Sequence, residues 1–174
     1  MIEYCTEAIV LAKEDAGEAD SRVFLYTPDN GLIIAKSKST RKITSKLAAH
    51  LEPLNWSTVR LVNNKSWQIV DALRMKRLSN LRFLEVFRLV KEVSAAEQPD
   101  QWMWQLLKTL YDDDYNAAAA IAAVLKIAGF DPQEATCHSC QSEQPNSFLL
   151  NSAKYICQQC LYLSGDSEPS FKWS

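Results

Sequence analysis

The first seventy residues alternate between apolar and polar positions in five short segments, and this pattern predicts β-strands. Turn residues separate the segments. The clearest turn is Pro28-Asp29-Asn30-Gly31, where proline presets φ and Asn-Gly tolerates the positive φ of a hairpin. Five short strands predict a small barrel, and a five-stranded barrel that binds oligonucleotides is the OB architecture. The predicted strands cover residues 4–11, 22–27, 32–35, 56–62 and 67–70.

After residue 74 the apolar positions recur at helical spacing. Leu81, Leu84, Phe87 and Val90 follow one another at three-residue steps and define one face of a helix. Two further helices are predicted over 101–111 and 116–128. The fold class is therefore α+β, an all-β region followed by an all-α region. We expect an OB-fold nucleic-acid-binding domain over residues 1–74 and a helical domain over residues 75–174.

Charge is distributed unevenly along the 174 residues, although the formal net charge is only −2. Residues 1–91 carry fifteen Lys/Arg against ten Asp/Glu, whereas residues 92–174 carry four against eleven. This asymmetry indicates a polyanion-binding half joined to a half with another task. The alternative is that the charges are dispersed over solvated faces.

A basic loop over residues 36–46 is the candidate phosphate-binding segment. It has five cations, several hydroxyl side chains and no acid, a mixture that suits sugar–phosphate strands. An ordinary solvated loop is the alternative, but the position on a predicted OB barrel favours phosphate binding. The candidate contacts are Lys36, Lys38, Arg41, Lys42 and Lys46.

A second basic group lies where the strands give way to helices and consists of Arg74, Lys76, Arg77 and Arg82. It could extend the same electropositive surface as further DNA contacts. It could equally cap helix ends and pair with nearby acids. The sequence leaves both interpretations open.

Four cysteines near the end of the chain form two Cys-x-x-Cys pairs separated by sixteen residues: Cys137, Cys140, Cys157 and Cys160. This spacing predicts one structural zinc ion in a four-cysteine zinc finger over residues 137–160, because four thiolates leave no open coordination position. Two disulfides or a redox-active Cys-x-x-Cys pair are the alternatives. The N-terminus shows no secretory signal, so we expect a reducing compartment and a cytoplasmic protein.

Signatures of catalysis are missing from the sequence. It has four glycines and no glycine-rich phosphate loop, and neither of its two histidines stands in a recognisable triad. No apolar run approaches the length that spans a bilayer, so no membrane association is expected. We therefore predict a protein that is not an enzyme.

Several segments together resemble the RecO family of bacterial DNA repair and recombination mediators. They are Ala8-Ile9-Val10-Leu11, Gly17-Glu18-Ala19-Asp20, Tyr26 to Gly31, Ala35-Lys36, Ser45 to Leu54 and the two Cys-x-x-Cys pairs. The resemblance implies an N-terminal OB-fold and a helical domain carrying zinc. It also implies binding of single- and double-stranded DNA and annealing of complementary strands. The implied partners are RecR, single-strand-binding protein and, indirectly, RecA. A zinc-ribbon adaptor that binds protein or RNA is the rival interpretation.

Overall fold

The computed structural model describes residues 2–38, 45–112, 115–165 and 168–173. The chain divides into two compact units, residues 1–113 and 114–174. Each unit has its own set of strands and helices.

Five strands of the first unit form a closed barrel in the order β1-β2-β3-β5-β4. The long strand β1 closes it by pairing with β4 through its first half and with β2 through its second half. Among the strand pairs of this barrel that the structure describes, β3 and β5 run parallel and the others antiparallel. This order confirms the predicted five-stranded OB barrel. The strands are β1 (Ile2–Asp15), β2 (Ser21–Thr27), β3 (Gly31–Ser37), β4 (Asn55–Asn63) and β5 (Trp67–Arg77).

Every second side chain along the strands points into the barrel, and these side chains fill its interior. Inward positions are mostly aliphatic, many of them β-branched, and such side chains pack well on a pleated surface. The outward positions are mixed: Arg22 and Lys36 are exposed, whereas Phe24 and Tyr26 are apolar and buried. Leu47, from the segment between β3 and β4, packs against this interior. The interior side chains are Ala8, Val10, Val23, Leu25, Ile33, Ala35, Leu51, Val59, Leu61, Trp67, Ile69 and Ala72.

The turn between β2 and β3 is where the sequence signal predicted it. Thr27 Oγ1 accepts a hydrogen bond from the Asn30 N–H and donates one to the Gly31 carbonyl, both at 3.3 Å. Gly31 has φ of 62°, and a Cβ there would lie 2.2 Å from the Gln98 carbonyl oxygen. Glycine is therefore required both for the backbone conformation and for the close approach of residue 98.

Two helices belong to the same unit as the barrel. The helix α1 (Phe83–Val93) contacts β1 and buries one face, including Val86, Phe87 and Val90. The helix α2 (Gln101–Thr109) is capped at its N-terminus by Asp100, whose carboxylate accepts from the N–H groups of residues 102 and 103. The expected boundary after residue 74 differs from this arrangement. It falls inside β5, three residues before that strand ends, and both helices follow within the first unit.

The second unit combines helices with a small sheet. The helix α3 (Ala117–Ile127) begins at Asn116, whose side chain accepts from the N–H of residue 118. Three strands, β6 (Ser147–Leu149), β7 (Lys154–Ile156) and β8 (Ser170–Lys172), pair in the order β7-β6-β8, and α4 (Gln158–Ser164) follows β7. The sequence pattern does not predict this sheet, because three residues are too few to show alternation. Across the described part of both units, every helix is too short or too polar to span a bilayer.

Candidate nucleic-acid interface and metal centre

Two of the predicted phosphate contacts lie at the end of β3. Lys36 is exposed on the outer surface of the barrel, opposite Arg22 of β2 and Gln68 of β5. Lys38 is exposed in the turn that follows the strand. Both ammonium groups are therefore accessible to a ligand outside the barrel.

The remaining cations of the basic loop lie between β3 and β4. Lys46 is exposed, next to Leu47, which anchors this segment on the barrel interior. Arg41 and Lys42 lie outside the described residues. Their role as phosphate contacts stays a prediction from the sequence.

Three cations of the second basic group, Arg74, Lys76 and Arg77, lie among the last four residues of β5, and their side chains are exposed. The Arg77 guanidinium donates to Asn55 Oδ1 at 3.3 Å, and Lys76 Nζ lies 5.5 Å from the centre of the Trp56 ring. The Arg74 backbone N–H donates to His50 Nδ1. Within the described ranges, none of the three cations forms an ion pair with a carboxylate.

The two basic groups lie at opposite ends of the barrel strands. Lys36 is level with Gln68, which pairs with Val62 of β4, whereas Lys76 pairs with Trp56 six residues along that strand. At a rise of about 3.4 Å per residue, the separation along the strands is about 20 Å. The described contacts are therefore divided between the two ends of the barrel and do not form one cluster.

Two further cations belong to these surroundings and were not predicted. Arg22 is the cross-strand neighbour of Lys36, and Lys108 in the last turn of α2 contacts the Trp56 ring. Arg22 could have been found from its polar position in an otherwise apolar strand. Lys108 could not, because only the packing of α2 brings it to the barrel.

The four cysteines of the second unit come together in a thiol cluster: Cys137, Cys140, Cys157 and Cys160. Their sulfur atoms all lie within 4.8 Å of one another, and the Cys140 and Cys157 sulfurs are 3.8 Å apart. A tetrahedral ion with metal–sulfur bonds of about 2.3 Å needs sulfurs about 3.8 Å apart. The cluster therefore fits a metal ion, and the geometry does not resemble two disulfides.

A tight turn and the start of a helix position the thiols. The Cys137 carbonyl accepts from the Gln141 N–H at 2.9 Å, and Gln141 adopts φ of 60°, which closes the turn. Cys157 stands immediately before α4, so Cys160 lies in the first turn of that helix. The Cys157 N–H points at the Cys137 sulfur, 3.4 Å away, and joins the two pairs.

The surroundings of Cys137 and Cys160 shift the pKa values of their thiols in opposite directions. Burial alone would raise the pKa of Cys137, but backbone N–H groups of Cys140, Cys157 and Ser139 overcome this and lower it to about 6. Hydrogen bonding to the Cys157 and Cys140 side chains, with burial, raises the pKa of Cys160. The backbone therefore favours the thiolate form of Cys137, whereas a bound metal ion would favour the thiolate form of Cys160.

The strand order and the thiol cluster define the class of protein. Its first unit is an OB-fold barrel, and its second unit has four cysteines placed so that they could hold a metal ion. Comparison with protein families agrees, since residues 1–79 match the family described as "Recombination protein O N terminal". The chain is also similar to proteins named DNA repair protein RecO. It belongs to the RecO family of DNA repair and recombination proteins.

Three relatives illustrate the similarity. The RecO of Dehalococcoides mccartyi (strain ATCC BAA-2266 / KCTC 15142 / 195) is 32% identical over 178 residues, covering 91% of this chain and 70% of the relative. The RecO of Thermodesulfovibrio yellowstonii is 28% identical, with the same two coverages. The RecO of Thermobifida fusca is 28% identical, covering 90% of this chain and 73% of the relative. The likeness therefore extends well beyond the barrel.

Proposed function

We propose that this chain is a recombination mediator that binds single- and double-stranded DNA and anneals complementary strands. The observation that carries the proposal is the series of exposed cations along the outside of an OB barrel, in a chain that belongs to the RecO family. The proposed phosphate contacts are Lys36, Lys38, Arg41, Lys42, Lys46, Arg74, Lys76 and Arg77.

Annealing follows from such a surface without chemical catalysis. Phosphate contacts position a strand but carry no sequence information, so any sequence can be held. When cations on one protein screen the charge of two strands, the repulsion that slows their pairing falls. The protein then needs no reacting group, and we propose that it is not an enzyme.

The thiol cluster is proposed to hold one structural zinc ion. Four thiolates complete a tetrahedral shell, so no position remains for water or substrate. The ion would supply positive charge that keeps the four thiolates together and so stabilises the short strands and turns around them. Its residues would be Cys137, Cys140, Cys157 and Cys160.

Membership in the family supports a proposal about partners and location. We propose that the chain acts in the bacterial cytoplasm with RecR on DNA coated by single-strand-binding protein, and so helps RecA to load. The acidic second half of the chain is the proposed location of partner contacts, because its charge disfavours DNA.

A strand-annealing assay with the metal-replete protein tests the proposal. Two complementary oligonucleotides should pair several-fold faster in its presence, both when bare and when coated by single-strand-binding protein with RecR added. Parallel titrations with single-stranded DNA, duplex DNA and structured RNA at matched salt provide the comparison. Tight binding of structured RNA without annealing would instead support the adaptor interpretation.

A further inference from the structure

Two lysines from distant parts of the first unit approach the same indole ring. Nζ of Lys76 lies 5.5 Å from the Trp56 ring centre, and Nζ of Lys108 lies 5.3 Å from it. Lys108 Nζ is also 5.9 Å from the Trp104 ring centre. The two ammonium groups are thus held no more than about 11 Å apart, a limit set by the two distances.

The like charges of these lysines are not neutralised by direct ion pairs. In the part of the chain that the structure describes, neither Lys76 nor Lys108 has a carboxylate within ion-pair distance. A surface depression of about 200 Å³ lies beside the Trp56 ring. It is lined by one acid, Glu7, together with Trp56, Met75 and Lys76. Lys108 lies outside this lining but approaches the same indole ring, so two cations and one acid surround Trp56, which is a suitable environment for an anion.

The ring that holds the lysines is itself positioned by packing. Trp56 is half-buried and makes T-shaped ring contacts with Trp104 and Tyr111, at centroid distances of 6.4 and 5.4 Å. Cation–π contact then keeps both ammonium groups at the surface without removing their charge. A preorganised pair of cations binds an anion with less loss of side-chain freedom than two independent lysines.

We propose that Lys76, Lys108 and Trp56 form a phosphate-binding site that receives the backbone of single-stranded DNA at the end of the barrel away from Lys36. The inference rests on the proposed function and adds Lys108, a residue of α2, to the binding surface. The two ends are about 20 Å apart along the strands. A single strand that keeps the duplex rise of about 3.4 Å per nucleotide needs about six nucleotides to reach both.

Oligothymidylates of four and twelve nucleotides, titrated by fluorescence anisotropy at several salt concentrations, test the site. For the 12-mer, Lys108→Gln should reduce the magnitude of the slope of log K against log salt by about 0.7, the contribution of one phosphate on a single strand. Lys108→Arg should restore the slope, and Glu7→Gln should tighten binding a few-fold. With the 4-mer bound at the Lys36 end, Lys108→Gln should change little.

The control variant is Lys126→Gln, which removes an exposed cation of the second unit. A lysine that only complements the end of α2 would lower the melting temperature on replacement but leave the salt slope unchanged. Normal binding of the 12-mer by the wild type with an unchanged slope in Lys108→Gln would therefore overturn this inference alone. Failure of the wild type to bind any oligonucleotide would overturn the proposed function and this inference together.

Discussion

The backbone N–H of Arg74 donates a 3.2 Å hydrogen bond to Nδ1 of His50. The bond ties the segment after the basic loop to β5, the strand that carries three cations of the second basic group. The same segment is held to β4 by the Ser57 hydroxyl, which donates to the His50 carbonyl, and by the Asn55 amide, which donates to the Ala49 carbonyl.

Removing the His50 side chain should weaken DNA binding without abolishing folding. His50→Ala deletes one anchor and leaves the two to β4, so unfolding should become easier by about 0.5–1.5 kcal/mol. Lys46, four residues earlier, would be held less firmly, and we expect affinity for single-stranded DNA to fall about two- to fivefold. Urea denaturation and anisotropy titration measure the two effects. His50→Asn, whose side-chain oxygen can accept from Arg74, should recover most of both, and equal losses in the two variants would contradict the anchor.

Replacing Arg41 and Lys42 together should weaken DNA binding and flatten its salt dependence. Each cation that no longer neutralises a phosphate of a single strand reduces the magnitude of the log–log slope by about 0.7, so the double alanine variant should show a reduction of up to about 1.4. A filter-binding titration at several salt concentrations measures the slope. The matched control is Lys126→Ala with Lys172→Ala, two cations of the second unit. An unchanged slope in Arg41→Ala/Lys42→Ala would remove this part of the basic loop from the binding surface.

Loss of one thiol of the cluster should abolish metal binding. Wild-type protein purified under reducing conditions should contain one zinc ion per chain, whereas Cys157→Ser should contain almost none and lose the ordered structure around β6 and β7. Elemental analysis gives the stoichiometry, and amide hydrogen exchange locates the disorder. Cys5→Ser removes an exposed cysteine of β1 and should retain the full metal content. A wild-type chain that binds no ion and oxidises readily would support the redox alternative.

The sequence predicted the parts of the molecule whose signals are local. Alternation and the Asn30-Gly31 turn predicted the barrel strands, and the Cys-x-x-Cys spacing predicted the thiol cluster. Long-range packing gave no such signal. Register places Lys36 and Lys76 at opposite ends of the barrel, and the docking of α2 brings Lys108 to Trp56; neither relationship has a sequence period. The end of β5 was missed because two irregularities in its pairing with β4 break the alternation after Ile69.

Alanine substitutions at Gly31 and Gly17 separate the energetic cost of a left-handed backbone from the cost of steric crowding. Both have positive φ, but a Cβ at Gly31 would lie 2.2 Å from the Gln98 carbonyl oxygen, whereas at Gly17 nothing lies within 4 Å. Gly17→Ala should therefore cost about 1 kcal/mol for the left-handed backbone alone. Gly31→Ala should cost about 1–3 kcal/mol more, because the segment through Gln98 must shift. Equal losses of stability in urea denaturation would show that residue 98 moves away freely.

Tyr111 should make the first unit sensitive to alkali. Its hydroxyl donates to the Leu54 carbonyl at 3.1 Å, and burial raises its pKa above the ordinary value of 10.0. Because the folded state holds this proton more tightly than the unfolded chain, the contribution to stability is complete below about pH 10 and falls as pH rises further, by up to about 1.4 kcal/mol per unit. Tyr111→Phe should cost about 0.5–1.5 kcal/mol at about pH 8 and show a shallower decline than the wild type above about pH 10.

Tyr162→Phe alters an exposed phenol and serves as the control for Tyr111→Phe in the same urea titrations. Its free energy of unfolding should follow that of the wild type, because the Tyr162 side chain is 87% exposed and the change leaves the Tyr111 hydroxyl in place. Parallel declines in wild type and Tyr111→Phe would mean that another group carries the alkaline sensitivity. The buried Tyr26, with its pKa raised to about 12 by burial, would then be the next phenol to replace.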